Sequence, residues 1–379
     1  MSRVFVLLTV VGIALGCDSS YRIWIPRSST ADPLYRFIKD GKAGYIDSTG
    51  KVVVAPQLDL LGSYRGEFHD GLLEIDVSNG KYVDRTGELV IDKGLFRGWD
   101  FSEGLAVAMR KNEDLWGYID TSGQFAISPR FHWSQSDYVW PFTDGLAKIK
   151  VHDRYGFIDH SGEFVIQPHL PDATDFHDGM ARVVMEGPCV YFPEGACGPF
   201  NPVFVGSRDK RETASCKFSY IDKKGNLVTK ARFDDARDFS EGLAPVRIGA
   251  LWAFIDKTGS MVIPPRFEDA EPFHSGLSRI RVHELYGYAD QAGNIVIEPK
   301  YKEADDFSEG FAVVGDGFDY WYINDEGKQT IQGKFEVASP FFKGLAHVRV
   351  SSADATESFA YINHGGKRVF TYQYTSDFR

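Results

Sequence analysis

The stretch LWGYIDTSGQFAISPRF, residues 115–131, decides the fold. It sets Asp120 among aromatics and two glycines. Two readings compete. An aspartate in such company suits a metal- or sugar-binding loop. It equally suits a tight turn, in which Asp accepts backbone N–H groups and Gly123, three residues on, supplies a positive φ. The chain itself chooses. The segment recurs as YIDSTG from 45, YVDRTG from 82, FIDHSG from 157, YIDKKG from 220, FIDKTG from 254, YADQAG from 288, YINDEG from 322 and YINHGG from 361. Asn324 and Asn363 replace the aspartate in two copies. Asparagine can make the turn bond but brings no charge to a cation, and no D-x-D-x-D loop surrounds any copy. The aspartates are therefore read as turn residues, and no metal or cofactor is expected.

The copies start 34 to 39 residues apart, except for one step of 63. A fixed period over nearly the whole chain means a repeat architecture. A second signature, Phe-x-x-Gly, shares the period, at Phe68 to Gly71, Phe101 to Gly104, Phe142 to Gly145 and Phe176 to Gly179. It continues at Phe239 to Gly242, Phe273 to Gly276, Phe307 to Gly310 and Phe341 to Gly344. An apolar strand of the type LAxV follows each. One unit thus reads as a first strand (GLAxV), a second (WGYID), a turn, and a third (xxVIxP). The expected fold is all-β: a tandem array of about nine three-stranded antiparallel units from Leu34 to the C-terminus. The leading arrangement is an open stack and the alternative a closed β-propeller, whose blades are usually fewer, four-stranded and longer. The long step marks an insertion, residues 186–217, in the middle of the array.

This organisation resembles the WG, or KWG, repeat family. Trp116 to Asp120, Gly123, the Ile-Ser-Pro of 127–129 and the Phe-x-x-Gly-Leu-Ala strands carry the likeness over roughly residues 34 to 370. The resemblance implies a bacterial β-repeat protein, often exported, with no general biochemical activity. Trp stands cleanly before the second strand only at 116 and 252. Tyr155, Phe218, Tyr286, Tyr320 and Phe359 take its place elsewhere.

The N-terminus points to export. Val4 to Leu15 is an uncharged, mostly apolar run behind Arg3, too short to span a bilayer but suited to a signal peptide. Ala14-Leu15-Gly16-Cys17 resembles a bacterial lipobox, with leucine one place nearer the cysteine than usual. The resemblance implies a signal peptide over 1–16, lipid on Cys17, a tether over 17–33 and anchoring to a bacterial membrane in the cell envelope. Cys189, Cys197 and Cys216 all fall in the insertion, where an oxidising compartment would let two of them pair. The formal charge of −11 argues against nucleic acid as the main partner.

Two further features are candidates for binding. The aromatics before the second strand either stack sugars or pack one repeat on the next, and core packing is the default for such large rings. Lys148, Lys150, Arg182, Arg247, Arg279, Arg281 and Arg349, with His347, alternate along the first strands and so share one strand face. In a regular stack they line up as a basic stripe for an anionic polymer. The competing reading pairs them with the acidic loops at Asp234-Asp235, Glu268-Asp269 and Asp305-Asp306. The chain has no H-E-x-x-H, G-x-S-x-G, P-loop or C-x-x-C motif, and its histidines, including His69, His177 and His274 inside Phe-x-x-Gly, are scattered. The expectation is a non-catalytic envelope protein that binds a protein or polysaccharide. An enzyme with its site in the insertion and a purely structural spacer are the alternatives.

Overall fold

A computed structural model describes residues 32–59, 66–92, 94–132, 134, 137–186, 217–350 and 358–373. Cys17, Cys189, Cys197 and Cys216 lie outside the described residues. So do the proposed signal peptide and nearly all of the tether and insertion.

The described residues form nine antiparallel sheets and no helix, one sheet for each repeat. Unit 7 shows the full pattern: Asp269–Ala270, Leu277–Val282, Leu285–Asp290 and Ile295–Tyr301 pair in that order across the sheet. The short leading strand corrects the expected count of three. Five of the nine sheets have four strands. The residues just before Phe-x-x-Gly double back on the first strand, as when Asp269 and Ala270 pair with Arg281 and Ile280. The insertion leaves the sheet between Met180–Glu186 and Lys217–Asp222, which are hydrogen-bonded neighbours.

The turn reading of the aspartates holds. Asp120 Oδ1 accepts the N–H of Ser122 at 2.9 Å and of Gln124 at 3.1 Å, and Gly123 sits at φ 81°. Asn324 makes the same two bonds, to Glu326 and Lys328. The Ser122 hydroxyl, then the backbone N–H groups, hold the Asp120 carboxyl below its usual range.

The glycine of the WG pair has a separate role. A Cβ on Gly117 would lie 2.5 Å from Ile127 O and 2.8 Å from Pro129 N, because the third strand bulges across that face. Gly156 and Gly287 are confined in the same way. Units with Val or Ile followed two residues later by Pro have long third strands: Val52–Leu58, Phe125–His132, Phe164–Leu170, Met261–Phe267 and Ile295–Tyr301.

Sheets pack face to face. The alternating second strand sends its aromatics forward, so that Tyr288 packs with Phe307 and Val314 of the next unit. Its other face points back, and Ala289 meets Phe254 and Phe273. The last forward face does not stay open. Tyr35, Phe37 and Ile46 of unit 1 share a core with Leu345, Tyr361 and Phe370 of unit 9. Tyr361 Oη donates to Arg36 O at 2.5 Å, and Tyr35 Oη to Lys343 O at 2.6 Å. Nine sheets therefore stand in a closed ring, and the open stack is replaced by the propeller-like alternative. Closure buries an aromatic face that an open stack would leave in water.

Candidate functional site

The groups expected to bind a ligand mostly bind the next repeat. The tyrosine of Y-I-D packs on the phenylalanine of the following Phe-x-x-Gly, with ring centroids 4.8 Å apart for Tyr288 and Phe307 and for Tyr220 and Phe239. Phe157 with Phe176 and Phe254 with Phe273 continue the ladder. Each hydroxyl donates to the carbonyl two residues before that phenylalanine: Tyr45 to Gly66, Tyr82 to Trp99, Tyr118 to Trp140, Tyr220 to Arg237, Tyr288 to Asp305 and Tyr322 to Ser339. Burial pushes these phenols well above their ordinary range, so they remain donors. Unit 6 has Phe254, which has no hydroxyl. The carbonyl at stake, Glu271 O, instead accepts the Ser278 hydroxyl at 2.6 Å.

The two variable residues of Phe-x-x-Gly also reach forward. Ser102, Ser240 and Ser308 donate to the carbonyls of Phe142, Phe273 and Phe341. His69, His177 and His274 stand in the same slot, with Nε2 3.7–3.9 Å from Asp100, Asp238 and Asp306. The residue after them has a positive φ, and its carboxylate takes the N–H of the next unit's signature glycine. Asp70 does so for Gly104, Glu103 for Gly145, Asp144 for Gly179, Asp178 for Gly242, Glu241 for Gly276 and Glu309 for Gly344. Lys223 and Lys257 add ion pairs to Asp144 and Asp178. Sequence reasoning passed over this clamp, although the acidic third position was visible, because its partner lies in a different copy.

The basic residues do not form an open stripe. Lys148 and Arg182 are each only 9% exposed. Lys148 meets Asp175 at 3.2 Å and lies over Trp140. The Arg182 guanidinium donates to Ala236 O of the next unit. Arg279 donates to Ala304 O, with Glu271 at 3.1 Å and Asp306 at 3.5 Å. In unit 6 the corresponding residue is Pro245, and Arg237 supplies the cation instead, donating to Ala270 O and pairing with Asp269 and Glu271. The outer members pair locally: Lys150 with Asp153, Arg247 with Asp235 and Arg349 with Glu336. Arg281 lies by Glu268, whose carboxyl is held low by the N–H groups of Glu284 and His283 and, less, by the charges of His283 and Arg281. His347 is stacked on Phe359 and bonded to the Tyr372 hydroxyl, and burial lowers it to about 4.

Unit 2 inverts this chemistry. Glu74, 3% exposed, occupies the place of Lys148, Arg182 and Arg279. Burial first, then Asp100 and Asp76, push its carboxyl up to about 9. Among the described residues no group of three or more His, Cys, Asp or Glu is arranged to hold a metal ion, and no helix is long and apolar enough to cross a membrane.

A surface feature remains once these contacts are assigned. Val52, Val53, Leu89, Val90, Val165, Met261, Val262 and Val296 are all 41–48% exposed. They stand at the starts of third strands, which are sheet edges. Units 1, 2 and 6 each expose a pair of them, and units 4 and 7 one each.

A family model for the WG containing repeat matches residues 44–72, 116–155, 155–187, 218–252, 252–286, 286–317 and 322–351, more than half of the chain. No curated protein matches. Among solved structures, Hsv2 of Kluyveromyces lactis is similar at TM-score 0.33 and 6% identity, over 91% of this chain and 98% of that one. A quinonprotein alcohol dehydrogenase-like protein of Bacteroides thetaiotaomicron is similar at TM-score 0.33 and 9% identity, over 91% and 77%. The WD40 domain of Toxoplasma gondii coronin follows at TM-score 0.30 and 11% identity, over 72% and 69%. Likeness at this level assigns neither ligand nor activity.

Proposed function

We propose, because this chain belongs to the WG containing repeat family, that it is a non-catalytic binding or scaffolding protein of the bacterial cell envelope. In this reading Cys17 carries a lipid that holds the ring at a membrane surface, and the partner is another envelope protein. The observation that carries it is the exposed aliphatic residues at the starts of the third strands of units 1, 2, 4, 6 and 7. Soluble proteins seldom leave contiguous apolar surface uncovered unless something docks there. Sheet edges usually carry charge or proline to block pairing. Here Pro129, Pro168, Pro265 and Pro299 guard the far half of the edge. The aliphatic half stays open, which favours side-chain docking over strand addition. The polar groups of the interior support the same reading, since they bond unit to unit.

The test uses the full chain with a C-terminal tag to capture partners from envelope extract. Replacing Val52, Val53, Met261 and Val262 with serine should abolish capture of a protein that the wild type retains, with thermal stability unchanged. Equal capture by the variant, or a hydrolase or transferase activity that co-purifies and dies on one point substitution, would sink the reading. The anchor is checked separately: a Cys17→Ser chain should no longer label with palmitate.

A further inference from the structure

Unit 8 departs from the repeat in three places that lie together. Trp321 occupies the WG glycine slot, pairing with Val314 as Gly287 pairs with Ile280. Gly315 takes the place of Lys150, Arg247, Arg281 and Arg349 on the first strand. Ile331-Gln332-Gly333 replaces the segment that ends in proline in units 1, 3, 4, 6 and 7. In unit 7 a side chain at Gly287 would strike Ile297 O and the Pro299 backbone. An indole there is incompatible with a third strand on that path. Residues 329–335 meet the second strand at the bridges Ile323–Gln329 and Tyr320–Phe335 and through the Thr330 N–H, which donates to Tyr322 O, a path that unit 5 shares. What opens between units 7 and 8 is a cavity of about 450 Å³, bordered by Tyr301, Trp321, Lys300, Lys302, Asp316 and Gln329.

Its chemistry differs from that of the interfaces. Trp321 and Tyr301 meet edge to face, with centroids 6.1 Å apart. Lys334 lies over Trp321 at 5.3 Å and is tied to Asp316 at 3.0 Å and Asp319 at 3.3 Å. The indole is thus held in place, and the one Lys334 ammonium is shared between the two carboxylates. Lys300 and Lys302 have no carboxylate partner among the described residues. Lysines 148, 150, 217, 223 and 257 all have one, whereas Lys39, Lys51, Lys111, Lys224, Lys230 and Lys367 also have none among the described residues. On a chain of net charge −11, two unanswered cations beside an aromatic pair attract an anion with an apolar face.

We propose that this cavity binds an acidic saccharide, a carboxylated sugar unit of an anionic glycan. A pyranose presents a C–H face that packs on the half-buried Trp321 indole, which the buried Tyr301 backs, while its carboxylate is matched by ammonium groups at the rim. The proposal deepens the reading of a binding ring but makes no use of the aliphatic row, so the two fail independently. It also restores an anionic ligand to the protein at a place the basic stripe did not mark.

The full chain should be retained on immobilised polygalacturonate at low salt, released as salt rises, and not retained on uncharged dextran. Lys300→Gln with Lys302→Gln should weaken retention about tenfold or more. Trp321→Gly, which restores the family residue, should do the same. The four-serine variant of the aliphatic row should bind polygalacturonate as the wild type does. If Trp321→Gly unfolds the unit, the lysine pair decides alone. No retention by the wild type, equal retention on dextran, or wild-type retention by the lysine pair would overturn the proposal. Tighter retention on single-stranded DNA would overturn the saccharide class.

Discussion

The interface between units 6 and 7 and the one between units 9 and 1 do the same job with different chemistry. At the first, Glu241 accepts the Gly276 N–H at 2.9 Å, Ser240 donates to Phe273 O, and Arg237 reaches Ala270 O. At the second, Lys343 stands where Glu241 would be, and Pro33, without an N–H, stands where Gly276 would be. Donor and acceptor of the clamp are missing together. Tyr35 donates to Phe342 O and Lys343 O instead, and Phe37 packs on Phe370 at 4.9 Å and near Tyr372 at 6.1 Å. A repeated polar clamp therefore joins units that are consecutive in the chain, and a single aromatic cluster joins the two ends. Repeat arrays draw stability from nearest-neighbour contacts, so the closing contact should be separable from the rest.

The largest effect should come from emptying that cluster. Phe37→Ala removes a ring that is 4% exposed, at a cost of about 3–5 kcal/mol. Hydrogen exchange should rise in units 1 and 9 while amides of units 6 and 7 keep their protection. An even rise across all nine units would break the comparison, because the ring would then unfold as one piece.

A smaller effect tests the internal interface. Ser278→Ala leaves the Glu271 carbonyl without its hydroxyl, at a cost of about 1–2 kcal/mol. Phe254→Tyr then restores the bond by the route that Tyr288 uses to Asp305 O. A double-mutant cycle in denaturant should show the tyrosine stabilising the Ser278→Ala chain more than the wild type. Equal effects in both backgrounds would mean that the two hydroxyls do not share this carbonyl.

What the sequence made legible follows the range of the interactions. The Asp120 turn closes within four residues, so its reading needed only the nine copies and the two asparagines. Phe273 and its equivalents were recognisable as core because nothing but phenylalanine stands there. The leading strand Asp269–Ala270 was not, since two residues carry no period. The basic residues showed their alternation but not which face meets the next sheet, and so a stripe was expected where Arg279 is in fact fixed to Ala304 and Glu271. Closure depends on Tyr361 reaching Arg36 across nearly the whole chain, and no local pattern announces it. The cavity of unit 8 had a readable sign, an aromatic in the glycine slot. It went unread because Tyr320, one place earlier, satisfied the pattern.

The smallest effect is the sharpest test of what the seam lacks. Lys343→Glu alone should change stability by no more than about 0.5 kcal/mol, because Pro33 offers no N–H for the new carboxylate. Pro33→Gly alone supplies the N–H but frees the unfolded chain, and should cost about 0.4–1 kcal/mol. Together they rebuild the Glu241–Gly276 bond at the seam, and a favourable coupling of about 1 kcal/mol should appear in the double-mutant cycle. That coupling would show that the seam has the backbone geometry of an internal interface and differs only in two side chains. A coupling of zero would show that the aromatic cluster holds units 9 and 1 in a different register, and that the ring closes by packing the repeat does not encode.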